Sequence, residues 1–178
     1  MATDIKKYQF KRGDRFFIDA NVWLSVYGPI ASCNDWRTFT YSAALRDMRA
    51  ARCEICLDVL VLSEFINKFA RLEFEQLGPS VKPPDFKRFR QSPEFRATAK
   101  EIVIASRKIV VGSVLCDSGI EEIDINLLLN DFETHRSDFN DQMIHELCKA
   151  RNLTLVTHDG DFRSAGVPIL TANRGLLN

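Results

Sequence analysis

The sequence predicts an α/β fold built on a parallel sheet with helices on both faces, and three observations carry that expectation. Short, mostly apolar runs recur at 16–18, 53–57, 153–156 and 167–170, as strands covered on both sides require. Between them lie segments with apolar residues at helical spacing; the clearest is Leu62, Phe65, Ile66, Phe69 and Leu72, which form one stripe. Strand and helix then alternate to the end of the chain, the pattern of a parallel sheet rather than of hairpins.

Composition bounds what such a fold does. The 178 residues with 46% hydrophobic content suit one domain, 1–178, with a real core. Lys and Arg number 24 and Asp and Glu also 24, so the whole molecule makes no electrostatic claim on nucleic acid or membrane, and polyanion binding must come from a local patch. Five cysteines, at 33, 53, 56, 116 and 148, and a polar start without an apolar signal core point to free thiols in a reducing cytoplasm. Every uninterrupted apolar stretch falls far short of the roughly 18 residues of a membrane span, so a soluble protein is expected.

Residues 1–15 are polar and basic (Lys6, Lys7, Lys11, Arg12, Arg15) and read as a short, loosely held lead-in that ends in the Gly13-Asp14 turn. The run Phe16-Phe17-Ile18 delivers Asp19, Ala20 and Asn21 at its end. A helical turn or more over 22–27 is stopped by Gly28-Pro29, and a loop leads to about residue 35. Residues 38–52 resume helical composition, with Phe39, Ala43, Leu45, Met48 and Ala51 as an imperfect apolar face.

The strand at 53–58 precedes the helix over 59–77, where Ser63 and Glu64 lie off the apolar stripe near the start. Gly78-Pro79 ends that helix, and Pro83-Pro84 holds the next segment open. Ser92 as N-cap and Pro93 at the first helical position open a helix to about residue 111, carrying Phe95, Ile102, Val103, Ala105 and Ile109. A short strand is expected at 121–125 and a helix at 126–135. A further helix at 138–150 turns Phe139, Met143, Ile144, Leu147 and Cys148 toward the core. The strand at 153–156 closes in Thr157-His158-Asp159. After a turn at 159–166 the last strand, 167–170, belongs near a sheet edge because of its proline.

Strands that share a direction place the residues that follow them at one edge of the sheet, where ligands of α/β proteins sit. Asp19 and Asp159 each follow a strand. Glu64 lies in the first turns after another, and Asp141 opens the helix that leads into the strand Asp159 follows. One such Asp taken alone is an ordinary helix cap. Four acids at one rim repel unless something positive sits among them, and the oxygen-seeking dications Mg²⁺ and Mn²⁺ suit that role. Such ions lower the pKa of a bound water and offset charge on phosphorus oxygens, so phosphodiester hydrolysis is the reaction class that follows. Asn21 and Thr157 are suited to orienting the carboxylates through hydrogen bonds.

Charge along the chain is uneven. Between 82 and 108 the basic residues Lys82, Lys87, Arg88, Arg90, Arg96, Lys100, Arg107 and Lys108 outnumber Asp85, Glu94 and Glu101, whereas acids dominate from 117 to 141. Other constellations carry less. Cys53 and Cys56 have zinc or redox spacing without a second pair, and read as buried thiols. His145 stands one turn after Asp141, and His135 and His158 lie in loops. The sequence has no Gly-rich phosphate loop, no Gly-x-Ser-x-Gly, and no second Asp two residues after Asp19.

The ordered motifs FFIDAN (16–21), LSEF (62–65), DFNDQMI (138–144) and LVTHDGDF (155–162) resemble the PIN-domain ribonucleases, including the toxins of VapBC-type toxin–antitoxin pairs. The resemblance implies a three-layer α/β/α fold, with Asp19, Glu64, Asp141 and Asp159 as the catalytic, metal-binding acids for Mg²⁺ or Mn²⁺. Asp161 and Asp138 stay open as residues that assist or displace Asp159 and Asp141. The segments 28–52 and 78–93 match no family motif, and specificity can reside there. The reading is a metal-dependent endoribonuclease in which Lys82, Lys87, Arg88, Arg90, Arg96 and Lys100 are candidates for contacts to RNA phosphates. An antitoxin and a second copy of the chain are the partners the resemblance implies. The alternatives are a catalytically silent PIN-like domain that binds RNA or protein, and a nuclease acting on DNA, because the same site chemistry does not choose the sugar.

Overall fold

β2 (Arg15–Ile18) is the strand from which the sheet extends in both directions. In the computed structural model, which describes residues 2–32, 34–117, 119–134, 138–164 and 166–177, β2 pairs in parallel with β3 (Glu54–Leu57) on one side and with β5 (Thr154–Val156) on the other. β4 (Val114–Leu115) adds outside β3. β6 (Ile169–Thr171) and then β1 (Ala2–Asp4) add outside β5. The order is β1-β6-β5-β2-β3-β4 and every pairing is parallel. Phe16, Phe17 and Ile18 are all buried, as a central strand covered on both faces must be.

Seven helices among the described residues complete a three-layer α/β/α arrangement: α1 (Ala20–Tyr27), α2 (Trp36–Ala50), α3 (Val59–Gln76), α4 (Phe86–Gln91), α5 (Phe95–Val111), α6 (Ile125–Glu133) and α7 (Phe139–Ala150). From β2 the chain steps outward to β3 and β4, then crosses back to β5 on the other side of β2. Parallel crossovers are right-handed, so this reversal sends helices to opposite faces and opens a crevice between the carboxyl ends of β2 and β5. No helix among the described residues is long and apolar enough to cross a membrane.

Five local expectations are corrected. The polar lead-in is not loose: Ala2, Thr3 and Asp4 pair with Ile169, Leu170 and Thr171, and Ile5 is only 3% exposed. The last strand is therefore interior. Its proline is tolerated because Pro168 precedes β6 and contributes only a carbonyl, which accepts the Leu155 N–H at 2.9 Å.

The segment 121–125 is not a strand. Ile120–Glu122 forms a 3₁₀ turn, and Asp124 caps α6 by accepting the Asn126 N–H at 3.0 Å. The strand beside β3 is instead Val114–Leu115, whose two side chains are exposed, so no burial pattern announced it.

In 78–93 the prolines are followed by α4, capped by Asp85, whose Phe89 is buried against Phe74, Phe86 and Phe95. Ser92 closes α4 by donating its N–H to the Phe89 carbonyl, and α5 starts at Phe95. Finally, α2 buries Thr40, Tyr41, Ala44, Leu45 and Met48, and Phe39 is 73% exposed. The true stripe includes Thr40 and Tyr41, whose hydroxyl-bearing side chains fall outside the expected apolar face.

The role of the amino-terminal strand is testable. Ile5→Ala is expected to cost about 2–5 kcal/mol, as for a buried aliphatic side chain, whereas a loose lead-in would keep the change within about 0.5 kcal/mol. The midpoint of urea unfolding decides between them.

Candidate active site

The crevice between β2 and β5 is closed at its carboxyl end by a hydrogen-bonded set around Asp19. The Asp19 N–H continues the ladder to the Val156 carbonyl at 3.0 Å, which carries its side chain to the rim. Asp19 holds the N-cap position of α1, but its side chain makes no cap bond, so capping does not account for the carboxylate. Its Oδ2 instead accepts Thr157 Oγ1 at 2.7 Å and Asn21 Nδ2 at 2.6 Å. Asn21 reaches across the crevice as well, its Oδ1 accepting the His158 N–H at 3.1 Å. Thr157, fully buried, also accepts the Asp159 N–H at 3.0 Å. Asn21 and Thr157 thus tie the end of β2 to the end of β5 through one carboxylate.

Three further acids act on Asp19 or on one another. Asp159 follows β5, and its Oδ1 accepts the Asp161 N–H at 3.0 Å, which starts the 3₁₀ turn Gly160–Ser164. Asp141 lies in the first turn of α7, the helix that feeds β5. Glu64 sits on α3, and its Oε1 is 2.5 Å from Lys68 Nζ one turn further on.

Burial, at 5% exposure, is the main cause that pushes the Asp19 pKa up to about 6. The Thr157 hydrogen bond opposes the shift, Glu64 adds to it, and Lys68 and the Asn21 amide pull the other way. Asp141 rises to about 7, first from burial and then from the charges of Asp19, Asp159, Asp138 and Glu64. Burial disfavours the Lys68 ammonium, but Glu64 and then Asp19 and Asp159 more than reverse this and hold its pKa above the ordinary value. The four acids share one electrostatic neighbourhood, and Lys68 is the cation that acts on Asp19 there.

Proximity in charge is not yet a closed ligand shell. Among the described residues, no three His, Cys, Asp or Glu side chains are grouped closely enough to hold a metal ion as they stand. Repulsion keeps unneutralised carboxylates apart, and Glu64 is turned onto Lys68. The donor chemistry still fits a hard dication: every acid offers oxygen, and four carboxylates outnumber the one ammonium.

The remaining sequence candidates divide. Asp138 is exposed and caps α7, accepting the Asn140 N–H at 2.8 Å, whereas Asp141 is half-buried. Asp161 is exposed and meets Asp159 through its backbone. His145 Nδ1 faces Glu146 at 3.1 Å. His135 and Cys33 lie outside the described residues. Cys53, Cys56, Cys116 and Cys148 are free, and burial with the neighbouring Cys116 thiol pushes Cys56 up to about 12, which makes a metal-binding thiolate unfavourable.

Lys82, Lys87, Arg88, Arg90, Arg96 and Lys100 are all exposed. Lys82 lies over the Phe74 ring, Arg90 over Phe95, and Arg88 near Asp85 at 3.8 Å, and none of the six is among the charges that act on Asp19 or Asp141.

Sequence reasoning passed over Lys68 and Tyr41. Lys68 was legible as the i+4 partner of Glu64 on one helix face. Tyr41, 1% exposed, accepts the Ala172 N–H at 3.1 Å and places its hydroxyl 2.8 Å from His158 Nδ1. No spacing in the chain signals that contact.

The raised carboxylate pKa values carry a pH dependence. A carboxyl whose folded value, about 6 or 7, exceeds the unfolded value near 3.9 binds protons more tightly in the folded state. Stability is therefore lost as pH rises from about 4 through about 7 and is level above. In EDTA the melting temperature should fall from pH 5 to pH 8, and Asp19→Asn or Asp141→Asn should flatten that fall; equal slopes in parent and variants would refute the coupling.

Comparison with curated proteins and with solved structures gives no match. A family model for the PIN domain matches residues 16–168, which include β2 from Phe16 on, β5 and all four acids. The chain belongs to the PIN-domain family, whose members are generally nucleases.

Proposed function

We propose that the chain is an endoribonuclease that depends on Mg²⁺ or Mn²⁺, carried by one domain, with Asp19, Glu64, Asp141 and Asp159 as the residues that hold the ion. The observation that carries this reading is Asp19: a buried carboxylate at the crevice between β2 and β5, hydrogen-bonded by Thr157 at the end of β5 and by Asn21 in the first turn of α1, and raised in pKa by burial and by Glu64. A folded chain keeps such an arrangement against its cost where a cation completes it. A bound dication supplies positive charge against the phosphoryl oxygens and makes water acidic enough to attack at neutral pH.

The protein's own residues do the positioning. Thr157 and Asn21 fix one oxygen of Asp19, so its orientation costs no further ordering when substrate arrives. Asp159 is held by the amide that follows Gly160. Lys68 shares Glu64 and offsets part of the acid charge that would otherwise repel a phosphodiester. The exposed cations Lys82, Lys87, Arg88, Arg90, Arg96 and Lys100 are proposed contacts for RNA phosphates beyond the scissile bond, a contribution that weakens as salt rises.

Two measurements test this reading. Millimolar Mn²⁺ is expected to raise the melting temperature, with a smaller rise in Asp141→Asn, because a ligand that binds only the folded state stabilises it. Single-stranded RNA should be cut with Mg²⁺ or Mn²⁺ and not in EDTA, and Asp19→Asn should cut at least about 100-fold more slowly, the order of loss when one transition-state contact is removed. An unchanged melting curve with metal, or an Asp19→Asn variant as fast as the parent, would refute the assignment. Cleavage of DNA at the same rate would refute the choice of RNA.

The toxin role, with an antitoxin and a homodimer as partners, rests on the resemblance of the motifs. Expression without a partner should arrest growth and Asp19→Asn should relieve the arrest; normal growth at full expression of active protein would point to another role.

A further inference from the structure

The start of α2 lies in a segment that carries no family motif, and it presents an aromatic side chain beside the acid rim. Trp36 is 52% exposed, large for an aromatic residue with no apolar cover. Its ring meets the edge of His158 at 5.6 Å between centroids, and His158 stands between Thr157 and Asp159 in the chain. The orientation of His158 is fixed from three sides. Tyr41 holds Nδ1 at 2.8 Å, Asn21 accepts its N–H at 3.1 Å, and Asn173 donates to its carbonyl at 2.8 Å.

Cations flank the tryptophan. Lys6 Nζ lies 5.4 Å from the ring centroid, and Arg37, the next residue along, pairs with Asp35 at 3.4 Å with its side chain still exposed; the charges of Arg37 and Asp35 both act on His158. Phe39, at i+3 from Trp36 on the same helix, is 73% exposed. An exposed tryptophan with a cation over its ring, joined through a rigid histidine to the acid rim and followed by the exposed Phe39, matches the needs of an unpaired base and its backbone. Bases stack on aromatic faces, and phosphates pair with nearby ammonium and guanidinium groups.

We propose that Trp36, with Lys6 and Arg37 beside it, is a stacking platform that receives an unpaired base of a single-stranded nucleic acid next to the bond to be cut. This makes the substrate of the acid rim a single strand, because a duplex offers stacked bases with no free face. The inference rests on the nuclease reading above, since it lays the strand along the same rim. The occupant is nucleic acid and not an acidic protein surface because only a strand carries bases for the ring alongside phosphates for the cations.

The chain reports on this site directly. It has two tryptophans, of which Trp23 is 1% exposed and stacked on Tyr27, so any change in emission on binding a strand belongs to Trp36. The test uses a labelled eight-nucleotide RNA in the Asp141→Asn background, read by tryptophan emission and by anisotropy, with the oligonucleotide recovered on a gel. The strand should quench emission saturably, and its duplex form should not. Trp36→Ala should abolish the quench and weaken binding by about tenfold or more, and Trp36→Phe should recover most of the affinity.

Undiminished affinity in Trp36→Ala, equal quenching by the duplex, or no binding of the single strand would overturn the platform. The two readings fail separately. If Asp141→Asn cuts as fast as the parent while Trp36→Ala still loses affinity, the metal-ligand assignment falls and the platform stands. If the parent cuts RNA with Mn²⁺ and Trp36→Ala keeps its KM, the platform falls and the nuclease stands.

Discussion

The burial of one carboxylate at the end of the central strand is the constraint on which the rest of the structure depends. Asp19 is carried to the sheet rim by β2 and loses almost all contact with water there. A carboxyl so placed must be hydrogen-bonded or neutral. The fold meets that demand with two donors, Thr157 from the end of β5 and Asn21 from the first turn of α1. Because those donors come from segments separated by more than a hundred residues, the chain can satisfy Asp19 only by closing β2 against β5 in the observed register.

The same closure concentrates charge. Asp141 and Glu64 reach the rim on helices that begin at the carboxyl end of the sheet, where Glu64 raises the cost of ionising Asp19, and Asp19, Asp159 and Glu64 raise that of Asp141. Lys68 relieves part of this through Glu64. A domain with only a few kcal/mol of net stability tolerates such a concentration where the charge has a use. The surrounding core makes the concession affordable: Phe16, Phe65, Trp23 and Leu155 lie beneath the rim fully buried.

Much of this arrangement was legible in the residues. Apolar runs at 16–18, 53–57 and 153–156 found the three central strands, because strands covered on both faces must be apolar nearly throughout. The periodic stripe from Leu62 to Leu72 placed α3 because one helix face packs on the sheet, although the buried face is Val61, Phe65, Phe69 and Ala70 and Ile66 is exposed. Edge elements escaped. Val114 and Leu115 are exposed, and Ala2–Asp4 is polar, so neither carries a pattern; backbone pairing with β3 and β6 makes them strands. Proline misled in 167–170 because its position relative to the ladder, not its presence, decides whether a hydrogen bond is lost.

For the site, the sequence by itself determined which residue types stand at strand ends and helix starts, since strand direction and helical spacing are local properties of the chain. Asp19, Asp159, Asp141 and Glu64 followed from that. Only the tertiary structure decided how each is used. It turned Asp19 from a helix cap into a cross-strand acceptor, left Asp138 as the cap beside Asp141, set Lys68 against Glu64, and brought Tyr41 and Trp36 to His158. Those outcomes depend on contacts between residues far apart in the chain, where geometry and the local loss of water fix the energy, and neither is written in spacing.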